Sequence, residues 1–258
     1  MINISLKYIF KTKKKELSSV PDLIKNKEFE EDIPKDMDIE FKEVYFKCKD
    51  YTMTSIERMY ALYKATKYVI EHGIKGDFVE CGVWKGGSSM VIALTLLQMK
   101  DTSRRIYLYD TYMGMTKPTE KDRYISNQML AINDWKNNNT LTHNNWACCS
   151  LEEVQKNMYS TKYPPEKIIF IKGKVEETIP KNMPENISLL RLDTDWYEST
   201  YHEMLHLFPL ISSKGIIIID DYGWFTGAKE AVDTYFKQNN ISILFNRIDI
   251  TGRLGIKN

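Results

Sequence analysis

The sequence predicts an α/β fold, a mostly parallel twisted sheet with helices on both faces. Two observations predict it. From residue 77 onward, short apolar runs of strand length alternate with segments of helical periodicity, the pattern of parallel strands joined by crossover helices. The runs are also predominantly apolar, as in ISLL (187–190) and GIIII (215–219), which marks strands buried on both faces.

The elements follow in order. Residues 1–50 are charged and interrupted by Pro21 and Pro34, and read as an N-terminal extension ahead of a main domain, 51–258. The basic start, MINISLKYIFKTKKK, has its apolar residues first and too few of them for a signal peptide; it reads as a solvated tail, with an interfacial helix as the alternative. Residues 52–72 place Ile56, Met59, Tyr60, Tyr63, Val69 and Ile70 at helical spacing, with Ser55 as a start and Gly73 as a stop. DFVECGV (77–83) is a strand, SSMVIALTLLQM (88–99) a buried helix and RIYLYD (105–110) a strand. The segment 111–167 is too long for a connection and reads as an insertion with a partly helical lid. IIFIK (168–172), ISLLRLD (187–193) and GIIIID (215–220) are strands, 198–208 and 228–238 are helices, and ISILF (241–245) and RLGIK are the last strands.

The bulk numbers exclude several classes. A net charge of +1 gives no argument for nucleic acid. No apolar run reaches the ~20 residues of a bilayer span. Four cysteines, two of them adjacent and none in a C-x-x-C spacing, suit a reducing cytosol better than a disulfide framework.

Two strands end in paired acids: RLDTDWYEST (191–200) carries Asp193 and Asp195, and GIIIIDDYG (215–223) carries Asp220 and Asp221. Ligands bind at the carboxyl ends of parallel strands, so both pairs stand where a site belongs. Asp193 and Asp195 are two apart, and extended backbone points both to one side. ECGVWKGGSS (80–89) is a strand, a glycine turn and a helix start, whose free N–H groups suit a nucleotide-type ligand. The spacing is neither the dinucleotide fingerprint nor a phosphate loop. Asp110, ending the second strand, can accept from a ribose diol or cap the next segment. Glu80, the glycines and Asp110 suit a cofactor with ribose but not necessarily pyrophosphate. S-adenosylmethionine fits, and spacing alone leaves NAD open.

FVECGVWKGGSS, YLYDTYMGM, SLEEVQKN, LDTDWYEST and IIDDYGWFTGAKEAVD, in this order from about Tyr51 to Phe236, resemble the macrocin O-methyltransferase family. The resemblance implies a Rossmann-like class I methyltransferase fold, S-adenosylmethionine as donor, Mg²⁺ on the acceptor side, a small hydroxylated acceptor such as a sugar or glycoside, and self-association. It implies Asp193, Asp220 and Asp221 as metal ligands and Asp195 as general base. It places Glu80, Gly82, Ser88, Ser89 and Asp193 at the cofactor turn, Asp110 and Thr111 at the ribose, Gly173 and Val175 near the adenine, and Thr52 and Met53 where the chain closes over the cofactor. Lys174–Glu176 departs from the family's bulkier residues there. The chemistry agrees, because Mg²⁺ takes hard oxygen ligands and lowers the pKa of a bound hydroxyl.

Three rivals stand beside this reading. The same chemistry could act on a phenol or catechol, whose vicinal diol chelates equally well. The fold could serve as a non-catalytic binding protein, against which the intact acid set argues. HEMLH (202–206) is a formal H-E-x-x-H, which on a helix aligns His202 and His206 for Zn²⁺ with Glu203 as base and Glu230 as a third ligand. The α/β context and the following Leu-Phe-Pro oppose a hydrolase. Trp196, Tyr197, Tyr222, Trp224 and Phe225 either line an acceptor pocket or pack the end of the sheet.

Overall fold

Helix α1 (Ile39–Cys48) is the first element of the computed structural model, which describes residues 33–258. The basic N-terminal segment, with its tail and interfacial-helix readings, lies outside the described residues. Phe41, Val44 and Cys48 of α1 are buried, and the helix packs against the two that follow. Residues 38–258 form one compact unit. Helix α1, which falls within the expected extension 1–50, lies in this unit. The apolar triad of α1 is diluted by flanking Lys and Glu residues, which made the segment read as extension.

Helix α2 (Ile56–Glu71) starts where Ser55 predicts: the Ser55 hydroxyl accepts the Arg58 N–H at 3.2 Å. It buries Met59, Leu62, Tyr63, Thr66 and Val69, the i, i+3, i+4 stripe of a core-facing helix. Strand β1 (Asp77–Cys81), helix α3 (Gly87–Gln98) and strand β2 (Ile106–Asp110) follow. The insertion contains α4 (Ile132–Asn138) and α5 (Leu151–Ser160). Helix α5 belongs to the layer itself: it packs on α3, and Ser150 caps it by accepting the Glu153 N–H at 3.2 Å. Only the part before it stands over the sheet end. Next come β3 (Ile168–Lys172), α6 (Val175–Thr178), β4 (Ile187–Leu192), α7 (Tyr197–His206), β5 (Ile211–Ile219), α8 (Thr226–Gln238), β6 (Asn246–Arg247) and β7 (Arg253–Ile256).

The sheet runs β3-β2-β1-β4-β5-β7-β6. Strands β1 to β5 are parallel, and β7 pairs antiparallel with β5 and with β6. The chain steps outward from β1 to β3, then returns to β4 on the other side of β1. That reversal is the switch point where open α/β sheets hold ligands. Leu189, Leu190, Ile217 and Ile218 are buried, as strands covered on both faces require. The expected strand 241–245 is absent. β7 holds the place beside β5, and Ile241, Ile243 and Phe245 instead pack half-buried against the core. Among the described residues no helix is long and apolar enough to cross a membrane.

Candidate active site

The glycine turn after β1 is shaped by contact with the end of β4. Gly82 has φ 83°, and a Cβ there would lie 2.0 Å from the Asp193 carbonyl oxygen. Only glycine admits both that backbone and that approach. Asp110 fastens the turn from β2. Its Oδ2 accepts the Val83 N–H at 2.7 Å and the Trp84 N–H at 3.2 Å, and its Oδ1 accepts the Tyr112 N–H at 2.6 Å. From α5, the Asn157 amide donates to the Lys85 carbonyl at 2.9 Å. Asp110 is thus first an anchor of the turn. Each carboxylate oxygen has more than one lone pair, so a ligand hydroxyl can still donate to it.

A cavity of about 470 Å³ opens at this end of the sheet, a usual volume for a small-molecule site. Of the residues expected at the cofactor, Thr52, Met53, Gly82 and Ser88 line it, as do Asp110, Thr111, Gly173, Val175 and Asp193. Glu80 and Ser89 are not among its lining residues. They are buried beneath the turn, where the Ser89 hydroxyl donates to one Glu80 oxygen and Arg191 donates to the other at 2.7 Å. Glu80 and Arg191 are register partners on β1 and β4, so the pair lies across the ladder.

The four aspartates meet because β4 and β5 are neighbours: the Asp220 N–H donates to the Leu192 carbonyl at 2.9 Å. One carboxylate oxygen from each of Asp193, Asp195 and Asp221 lies within 4.8 Å of the other two. Asp195 sits in left-handed backbone with φ 67°, a conformation costly outside glycine and found where a site demands it. Asp220 departs from the expected ligand set. Its Oδ1 accepts Arg191 Nη2 at 2.6 Å, and its Oδ2 is paired with Arg58. Both oxygens are bonded to guanidinium groups, and Asp220 lies outside the trio of carboxylates whose oxygens converge.

Arg58 and Arg191 pair with Glu80, Asp193, Asp220 and Asp249, and among the described residues no cation pairs with Asp195 or Asp221, so acids outnumber cations here. Burial, with the neighbouring carboxylates, holds Asp193 and Asp221 well above the usual range and pushes Asp195 up to about 7. Asp193 keeps 27% of its side chain open. Asp221 Oδ2 is buried with no hydrogen-bond partner. Clustered hard oxygens, unbalanced charge and an orphaned buried oxygen together fit Mg²⁺ or a similar divalent ion.

HEMLH takes another course. His202 Nε2 donates to the Ile179 carbonyl at 3.0 Å, and its ring lies 4.5 Å from that of His206. Glu203 is buried and turned away from both, toward Thr194. Glu230 is paired with Lys121. Among the described residues the clustered metal-ligand candidates are the aspartates, so the geometry does not support a zinc centre at HEMLH. The aromatic residues divide. Trp224 and Phe225 line the cavity, Trp196 is buried and packed with Trp146 and Phe225, and the Tyr222 hydroxyl donates to Asp233.

Sequence reasoning missed Arg191, Arg58 and Asp249. Arg191 did carry a signal: an arginine inside an apolar strand must be partnered, and Glu80 is the charged residue of the neighbouring strand. Arg58 reaches the acids from α2, and its Nε lies 3.0 Å from Asp249, close enough for charge attraction but misaligned for a hydrogen bond. Nothing local to either residue announces that contact.

This sheet order, the glycine turn at the switch point and the cavity over it define a class I S-adenosylmethionine-dependent O-methyltransferase, and the comparisons with known proteins agree. The chain belongs to the macrocin O-methyltransferase family, whose description, Macrocin-O-methyltransferase (TylF), matches residues 20–254. It is 31% identical over 202 residues to the 8-demethyl-8-(2,3-dimethoxy-alpha-L-rhamnosyl)-tetracenomycin-C 4'-O-methyltransferase of Streptomyces olivaceus, covering 78% of this chain and 74% of that one. It is 30% identical to the demethyldecarbamoylnovobiocin O-methyltransferase of Streptomyces niveus, with the same coverage. The solved O-methyltransferase NovP superposes with a TM-score of 0.70 at 28% identity, covering 80% of this chain and 82% of that one.

Proposed function

We propose that the protein methylates a hydroxyl of a sugar or glycoside, with Mg²⁺ held by Asp193 and Asp221 and with Asp195 as general base. The observation that carries this reading is the meeting of three cavity-lining carboxylates, Asp193, Asp195 and Asp221, one of which has a buried oxygen without a hydrogen-bond partner. Mg²⁺ is commonly held by one or two carboxylates, its other positions filled by water and substrate oxygens. When bound, the ion would supply Lewis acidity that lowers the acceptor hydroxyl's pKa, and S-adenosylmethionine supplies the methyl group.

This chain's residues do the rest. The glycine turn and Asp110 hold the cofactor's place, and Thr52 and Met53 close over it. Asp195 takes the proton from the acceptor hydroxyl as its oxygen accepts the methyl group. In the metal-free protein burial raises the Asp195 carboxyl to about 7, and a nearby divalent ion would lower it and favour the ionised form that accepts a proton. Asp220 stays with Arg58 and Arg191 and fixes the base of the cluster. The rhamnosyl acceptor in the name of one relative supports a sugar.

The test is an acceptor panel of glycosides and catechols with labelled S-adenosylmethionine. Label should pass to glycosides in the presence of Mg²⁺, stop with chelator and return with added Mg²⁺. Transfer that ignores chelation would refute the metal, and transfer confined to catechols would refute the sugar.

A further inference from the structure

Glu203 has no part in the reaction as described, yet it is fully buried on α7 against the active-site turn. Both of its carboxyl oxygens accept from one hydroxyl, Thr194 Oγ1, at 3.0 and 3.1 Å. Thr194 is the residue between Asp193 and Asp195. Its carbonyl accepts the Trp196 N–H at 2.8 Å and the Ser199 hydroxyl at 3.3 Å. Helix α7 and its N-cap therefore grip the turn at two points, Glu203 at the side-chain hydroxyl and Trp196 with Ser199 at the backbone carbonyl. The next residue, Asp195, has the left-handed φ of 67°, which survives in a non-glycine residue only where its surroundings over-determine it.

The environment of Glu203 fits a positioning group. The ionisable groups acting most strongly on it are Glu176, Cys81 and Asp193, all acidic, and among the described residues no cation forms an ion pair with it. Burial holds its carboxyl well above the usual range. A buried acid without a counter-ion is costly, and structural filling would be served better by an apolar side chain. What Glu203 offers that leucine cannot is an acceptor for the Thr194 hydroxyl.

We propose that Glu203 and Thr194 are a positioning pair that sets the turn carrying Asp193 and Asp195 and aims both carboxylates at the cation's place. The inference rests on the metal reading of the acid cluster. Outer partners that orient metal ligands commonly control affinity, and here the partner acts through the backbone of the turn.

The test is calorimetric titration of Mn²⁺ into protein saturated with S-adenosylhomocysteine. Thr194→Val keeps the shape and removes the hydroxyl. It should weaken Mn²⁺ binding by about 10–100-fold, the range for loss of an outer partner. Glu203→Leu should do the same, and the double variant should be no weaker than either single one, since both remove one interaction. Glu203→Gln retains an oxygen that accepts the hydroxyl and should bind Mn²⁺ like the wild type. S-adenosylhomocysteine affinity should be unchanged throughout. Should Glu203→Leu fail to fold, Thr194→Val decides alone. Wild-type Mn²⁺ affinity in Thr194→Val would overturn the pair, as would a parallel loss of Mn²⁺ affinity, S-adenosylhomocysteine affinity and Tm. A wild-type protein that takes up no Mn²⁺ would overturn the metal reading itself, and the pair with it.

Discussion

In the proposed mechanism Asp195 is the residue on which the chemistry turns. It combines a left-handed backbone, a place beside two other carboxylates and a pKa raised to about 7 by burial. Asp195→Asn keeps its shape and removes the proton acceptor. Turnover should fall by about 10²–10⁴-fold, the range for a general base, while S-adenosylhomocysteine affinity stays as it was. Near-normal turnover would assign the proton to water. The same raised pKa values predict a pH dependence. Carboxyls whose folded pKa lies above the unfolded value stabilise the fold while protonated. Their contribution is complete below the ordinary value of 3.8 and is lost as pH rises through about 7. Metal-free protein should therefore lose thermal stability progressively from about pH 4 to about pH 7, and Mg²⁺ affinity should rise over that interval because binding displaces protons. A Mg²⁺ affinity flat across the interval, measured by calorimetry, would contradict the assigned ionisation of the cluster.

At the scale of elements, the turn between β1 and α3 is the tightest constraint. Gly82→Ala would drive its Cβ into the Asp193 carbonyl and force an alanine to φ 83°. We expect a lower Tm together with weakened S-adenosylhomocysteine binding, because the same turn holds the cofactor and abuts the metal strand. An alanine variant that binds the ligand normally would show that the turn has room to move. The α2 start is a milder case. Ser55 caps the helix and donates to Asp249 at 2.7 Å. Ser55→Ala should cost about 1 kcal/mol by denaturant unfolding, the usual loss of an N-cap. The strands and their order were legible because buried parallel strands are predominantly apolar, and two of them announced the site by ending in acid. Helix α1 was hidden by its charged surroundings, and 241–245 looked like a strand because Ile241, Ile243 and Phe245 alternate inward without joining the ladder. The site was legible where it depends on strand ends. It was not legible where distant residues converge: Arg58 lies 162 positions from Asp220, and no local pattern links them.

For the molecule as a whole, the sheet brings a buried ion cluster and a cavity to the same end. Arg191 is 2% exposed and holds Glu80, Asp193 and Asp220 together across β1, β4 and β5. Removing it by Arg191→Leu would strand three carboxylates. The cost should be about 3–5 kcal/mol, as for other broken buried pairs, and chemical denaturation measures it. The central claim is that the protein is a metal-assisted methyltransferase whose cation sits between Asp193 and Asp221, with Asp195 beside it as base. The most direct measurement is anomalous X-ray scattering from crystals grown with S-adenosylhomocysteine and Mn²⁺. The account predicts an anomalous peak in contact with the carboxylates of Asp193 and Asp221, at the mouth of the cavity that holds the nucleoside. A cavity filled by S-adenosylhomocysteine with no peak among these acids, or with the metal lodged instead at His202 and His206, would contradict it.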